Sequence, residues 1–150
     1  MKKMKLISAC LIGTKCRYDG KAKICPKAKK LFLEGKVIPV CPEQLGGLST
    51  PRTPSEVVNG DGLRVIKGKN KVLNKKGQNV TKYFLNGAKE TLQIARLIDA
   101  DEFIGKHKSP SCGIGVTYDG TFSDNLVEGD GVTVALLKLN KIRVITEKDL

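Results

Sequence analysis

Apolar positions along the chain come in short runs separated by polar turns, and the spacing within each run predicts an element. Leu6–Ala9 reads as a buried strand ending at Cys10. Residues 13–25 form a loop, with turn chemistry at Tyr18-Asp19-Gly20. Pro26 to about Glu34 predicts a helix: proline suits a first helical position, Ala28, Leu31 and Phe32 share a face, and Gly35 stops it. Val37–Val40 is a second strand, ending at Cys41. Residues 42–56, broken by Pro42, Gly46-Gly47, Pro51 and Pro54, form a long irregular loop of the kind that usually carries function. Asn59-Gly60-Asp61-Gly62 turns the chain into Leu63–Ile66, with Lys71–Asn74 returning as the second arm of a hairpin.

The clearest helix spans about Thr81 to Ile98, where Phe84, Leu85, Ala88, Leu92, Ala95 and Ile98 recur with a 3.6-residue period and Thr81 offers an N-cap. Phe103–Gly105 is a third strand, followed by the loop Ser109-Pro110-Ser111-Cys112-Gly113. Thr117–Phe122 carries another Tyr-Asp-Gly turn, Asp130 offers a cap to a helix over Val132–Leu139, and Arg143–Ile145 closes as a strand. Strands alternating with helices predict an α/β fold: a mostly parallel sheet with helices on both faces, Rossmann-like and three-layered. At 150 residues the length predicts one domain over 1–150, burying roughly 70% of its unfolded surface.

Composition narrows the picture. With 40% hydrophobic and 28% charged residues, the balance is that of a globular protein, which argues against wholesale disorder. No apolar run approaches the roughly 18–20 residues of a membrane helix. Met1-Lys2-Lys3 before Leu6–Cys10 imitates a lipoprotein export signal, but four apolar residues are too few, so a cytoplasmic location is expected. The net charge of +12 is concentrated: residues 1–36 carry +9, and Lys67, Lys69, Lys71, Lys75 and Lys76 form a second cluster. Such a balance suits a solvated surface or an anionic partner, a nucleotide or an RNA backbone. Aromatics at 5% speak against an extended base-stacking platform.

Five cysteines lie at 10, 16, 25, 41 and 112, with no Cys-x-x-Cys pair and a single histidine, His107. An odd count in a reducing compartment argues against a disulfide framework. A single cysteine is ordinarily a small buried hydrophobe, yet Cys10, Cys41 and Cys112 each follow a predicted strand. In an open parallel sheet the carboxyl ends of strands share one edge, where ligand sites form. Three thiolates on that rim suit an iron–sulfur cluster, with zinc second. Glu43 beside such a rim is a candidate general base. Ser109 and Ser111 flank Pro110 just before Cys112, where at least one is expected to satisfy turn backbone. His107 is a candidate ligand or acid. Arg17, Lys15, Lys106 and Lys108 are candidates for holding a phosphate, as is the helix N-terminus after Asp130-Gly131.

Six blocks carry a resemblance. Ser8–Gly13 with Cys16-Arg17-Tyr18-Asp19-Gly20, Cys41-Pro42-Glu43-Gln44-Leu45-Gly46-Gly47-Leu48, Pro51-Arg52, Ser109–Gly113, Tyr118–Phe122 and Val127–Val132 resemble, in order and spacing, the bacterial and archaeal thiouracil desulfidase family, over about residues 5–147. The resemblance implies a [4Fe-4S] cluster held by Cys10, Cys41 and Cys112, its fourth iron without a protein ligand and free to take sulfur from a thiolated pyrimidine. It also implies an assisting acid, matched by Glu43, and an assisting serine, matched by Ser111 or Ser109. Expected substrates are thiouracil, 4-thiouridine or 4-thio-UMP, the basic excess favouring a charged one, in the salvage of tRNA nucleosides. The competing expectations are a basic RNA-associated protein with a structural zinc or cluster site, and a thiol protein without metal.

Overall fold

The computed structural model describes residues 3–150; Met1 and Lys2, part of the imitated export signal and of the basic N-terminal run, lie outside them. Four strands, β1 (Lys5–Ser8), β2 (Val37–Val40), β5 (Glu102–Gly105) and β8 (Arg143–Thr146), form one all-parallel sheet in the order β2-β1-β5-β8. The register pairs Leu6 with both Ile38 and Phe103, and Phe103 with Val144.

Strand alternation sends neighbouring residues to opposite faces. On one face Leu6 and Phe103 pack with Leu92 and Ala95 of α4 (Thr81–Leu97) and Val134 and Leu137 of α5 (Val132–Leu139). On the other, Ile7 and Ile104 pack with Ala28 of α1 (Pro26–Leu33) and with a short 3-10 turn, Ala9–Ile12. Both faces are therefore covered, as the alternation of elements predicts. A third apolar cluster joins Val57 of β3 (Ser55–Val57), Val65 of α3 (Gly62–Ile66) and Val72 of β4 (Val72–Asn74) to Phe84, Ala88 and Val132. The remaining elements are the four-residue helix α2 (Pro42–Leu45) and the antiparallel pair β6 (Val116–Tyr118) and β7 (Leu126–Glu128).

Several local expectations are corrected. Leu63–Ile66 is not a hairpin arm but lies in α3, because the Asp61 carboxylate accepts the Arg64 N–H and starts a helix there. The partner of β4 is β3, in an antiparallel ladder from Ser55–Asn74 to Val57–Val72. Residues 42–56 are accordingly not wholly irregular, holding α2 and most of β3. Thr81 does not cap α4: its hydroxyl donates to Asn79 and accepts from the Val72 N–H. Asp130 does not cap α5, since its carboxylate takes the Gly115 N–H and the Lys138 ammonium. Among the described residues no helix is long and apolar enough to cross a membrane.

Candidate functional site

The strand order reverses direction between β1 and β5, and in open parallel sheets the crevice beyond the carboxyl ends at such a point is where ligands bind. Three chain segments leave the sheet there. After β1 the 3-10 turn carries Cys10, buried at 6% exposure, and the loop beyond it returns Cys16, 2% exposed. After β2, Cys41 stands immediately before α2, and Pro42 at the first helical position starts that helix. After β5 the chain runs through Lys106, His107 and Lys108 into the loop bearing Cys112.

These segments enclose a cavity of about 610 Å³ whose lining includes the four thiols of Cys10, Cys16, Cys41 and Cys112. Its volume falls within the roughly 300–1,000 Å³ of small-molecule sites. The neighbouring Cys10 thiol, together with burial, pushes the Cys16 thiol up to about 11 although Cys41 and Arg52 oppose the shift. The Cys16 partnership and burial raise Cys41 as well, and burial pushes Cys112 up to about 12 against hydrogen bonds from Ser8 and Ser109. Burial thus favours the protonated form of Cys16, Cys41 and Cys112, and a bound metal would have to displace those protons. Cys25 stands apart, partly buried ahead of α1.

Glu43 lies on the first turn of α2, on the same cavity wall. One carboxylate oxygen accepts from Arg52 Nε at 3.1 Å and the other from Ser111 Oγ at 3.2 Å. The ion pair is well enclosed, with side chains 7% (Arg52) and 16% (Glu43) exposed. Arg52 also donates to the Cys16 and Ser49 carbonyls and to Thr50 Oγ1. Sequence reasoning did not single out Arg52 as a site residue, although Pro51-Arg52 is one of the blocks that carry the family resemblance.

The two serines separate in the structure. Ser109 Oγ accepts the backbone N–H groups of Ser111 and Cys112, the turn-stabilising role expected of one of the pair. Ser111, 1% exposed, sits beneath the lining and reaches the cavity through Glu43. The same loop caps α5: the Pro110 and Ser111 carbonyls accept from Val132 and Val134. Two amides of the first turn of α5, the candidate phosphate site after Asp130-Gly131, are thus engaged by protein.

The basic candidates divide. Arg17, Lys106 and Lys108 line the cavity, whereas Lys15 is exposed and does not. Lys106 is tied to Glu147 at 3.2 Å and to the His107 carbonyl, and Arg17 faces Asp19 at 4.0 Å. Lys23, Lys75 and Lys148, not among the phosphate candidates named from the sequence, also line the cavity. His107 is part of the lining, its backbone N–H on Glu147; partial burial lowers its pKa, helped by Lys106 and Lys108 and opposed by Glu147.

A single zinc ion draws its ligands into one tight tetrahedron. An iron–sulfur cluster instead receives each thiolate on a different iron and accepts sulfurs spread over a wall. The donor set, four thiols around one enclosed volume, fits that group.

Comparison with known proteins agrees with this geometry. The chain is 46% identical over 147 residues to the uncharacterized protein YbbK of Bacillus subtilis (strain 168), covering 98% of this chain and 97% of that one. It superposes with a TM-score of 0.88 on the solved structure of TudS, described as a [4Fe-4S]-dependent thiouracil desulfidase, at 35% identity over 99% of this chain and 93% of that one. A model of the 2-thiouracil desulfurase family matches residues 6–149, nearly the whole sequence, and it is to this family that the chain belongs.

Proposed function

We propose that this protein is a [4Fe-4S]-dependent, non-redox desulfidase that hydrolyses the C–S bond of a thiolated pyrimidine to the oxo form and hydrosulfide. The observation that carries the reading is a carboxylate clamped between Arg52 and Ser111 on the wall that also bears the thiols. The name of the TudS relative supports the cofactor and the substrate class.

Cys10, Cys41 and Cys112 would hold the cluster, leaving one iron without a side-chain ligand. When bound, the cluster supplies a Lewis-acidic iron for the thiocarbonyl sulfur. Glu43 takes the proton of the water that attacks the ring carbon. Arg52 and Ser111 fix the plane of that carboxylate, and the Ser111 hydroxyl offers a proton path on its buried side. Water adds oxygen and sulfur leaves as hydrosulfide, so no net oxidation occurs and no electron-transfer partner is needed. Lys108, Arg17 and Lys106 at the cavity suit the phosphate of a nucleotide such as 4-thio-UMP, and uncharged thiouracil or 4-thiouridine would do without them. Thiolated nucleosides from tRNA turnover are a fitting source, and the chemistry calls for a cytoplasmic, reducing setting.

Anaerobic purification followed by iron and sulfide analysis tests this. Brown protein is expected, with colour lost in Cys10→Ser, Cys41→Ser and Cys112→Ser but largely kept in Cys16→Ser and Cys25→Ser. Glu43→Ala should keep the cluster and lose at least 100-fold in conversion of 2- or 4-thiouracil to uracil. Colourless, zinc-loaded protein that binds RNA in a salt-dependent manner would instead favour the nucleic-acid reading. A fully active Glu43→Ala removes that residue from the mechanism.

A further inference from the structure

The hairpin tip between β6 and β7 is unusually constrained for a surface turn. Asp119 accepts both the N–H and the hydroxyl of Thr121. Asp119 also donates its N–H to Asn125 and accepts from the Asn59 N–H. Gly120 has φ +95°, and a Cβ there would press on the backbone of Val57 and Val58. The Glu56 side chain reaches over from β3, one of its oxygens accepting the N–H groups of Gly120 at 2.9 Å and Phe122 at 3.2 Å.

These contacts hold Phe122 at φ +57°, a conformation that bulky L-residues adopt only when their surroundings impose it. The strain does not serve the core. Phe84 and Phe103 are fully buried, whereas Phe122 is half-buried and belongs to none of the three apolar clusters. Phe122 lines the cavity, together with Tyr118 and Tyr18. In a chain with four Phe, three Tyr and no Trp, three of seven aromatic residues thus line one site.

We propose that the Phe122 ring, set in place by Glu56, is the face against which the pyrimidine ring of the substrate stacks. The class of ligand rests on the desulfidase reading above; the stacking face rests on the hairpin geometry. A flat heteroaromatic ring gains offset stacking on such a face, commonly several-fold to a hundredfold in affinity. Phe122 then sets how the ring approaches the thiol-lined wall, and Glu56 is a positioning residue that acts through it.

Steady-state kinetics on anaerobically prepared, cluster-loaded protein, with uracil binding by calorimetry alongside, decides the matter. Phe122→Ala and Phe122→Leu should each raise KM about tenfold with kcat within twofold, and weaken uracil binding equally; Phe122→Tyr should stay near the parent. Leucine keeps apolar bulk without a π face, so it controls for folding of the hairpin. Glu56→Ala should copy the KM effect and Glu56→Gln, whose carbonyl still accepts both N–H groups, should restore it. Wild-type KM in Phe122→Leu overturns the stacking role while leaving the desulfidase reading intact. If the parent turns over no thiopyrimidine yet loses uracil binding in Phe122→Leu but not Phe122→Tyr, the desulfidase reading fails and the stacking face stands. If the parent neither turns over nor binds, both fail.

Discussion

Arg52 organises the site at the scale of single residues. Its guanidinium joins the carboxylate of α2, the carbonyl of Cys16 and the loop at residues 49–50, four acceptors that a planar fork can meet and a point-charge ammonium cannot. Removing it strands an enclosed carboxylate, so Arg52→Ala should cost about 3 kcal/mol of folding stability, read by denaturant titration. Arg52→Lys should keep most of that stability but lower kcat, because the plane of Glu43 is no longer fixed. How much of this was legible in the sequence varies residue by residue. Cys10, Cys41 and Cys112 could be grouped because each follows a strand. Cys16 could not, since it is the loop beyond the 3-10 turn that carries the chain back to the cavity. Ser109 and Ser111 are alike in sequence, and only the direction of their hydroxyls tells a turn-holder from a partner of Glu43.

At the scale of elements, a four-residue helix holds the Glu43 side chain in place because of what it touches. Helix α2 lies almost backbone to backbone on α4: a Cβ on Gly46 would run into the Tyr83 carbonyl, and one on Gly87 into the Pro42 carbonyl. Gly87→Ala should therefore push α2 away, destabilising the protein by about 1–3 kcal/mol and lowering turnover more than cluster content. Iron analysis beside activity checks this. The same contact explains why α2 escapes sequence reading. A helix this short has negligible stability of its own, and tertiary packing supplies it. The misread caps at Thr81 and Asp130 share a cause, in that each side chain is taken up outside its helix's first amides, by Asn79 and Val72 in one case and by Gly115 and Lys138 in the other.

At the scale of the whole molecule, the parallel sheet and its two covered faces follow from the order of apolar runs, and this part was legible. The β3–β4 pairing was not, because it joins segments either side of a helix that looked like a strand. Cys10, Cys41 and Cys112 follow three neighbouring strands, so a cluster held by them, as proposed, would bridge β2, β1 and β5. Removing it with a chelator under anaerobic conditions should lower the thermal midpoint, and reconstitution should restore it. The basic balance, +12, makes a separate prediction: KM for a thiolated nucleotide should rise several-fold between 50 and 500 mM salt, while KM for thiouracil stays nearly constant. Equal salt response for the two would argue against a phosphate contact at the cavity.

The loop that bears Ser111 and Cys112 also terminates α5, its carbonyls receiving the Val132 and Val134 amides. Loosening that loop thus means fraying the first turn of a buried helix. Hydrogen–deuterium exchange at those two valines becomes a remote gauge of order around Cys112, readable by NMR or mass spectrometry without any label in the cavity.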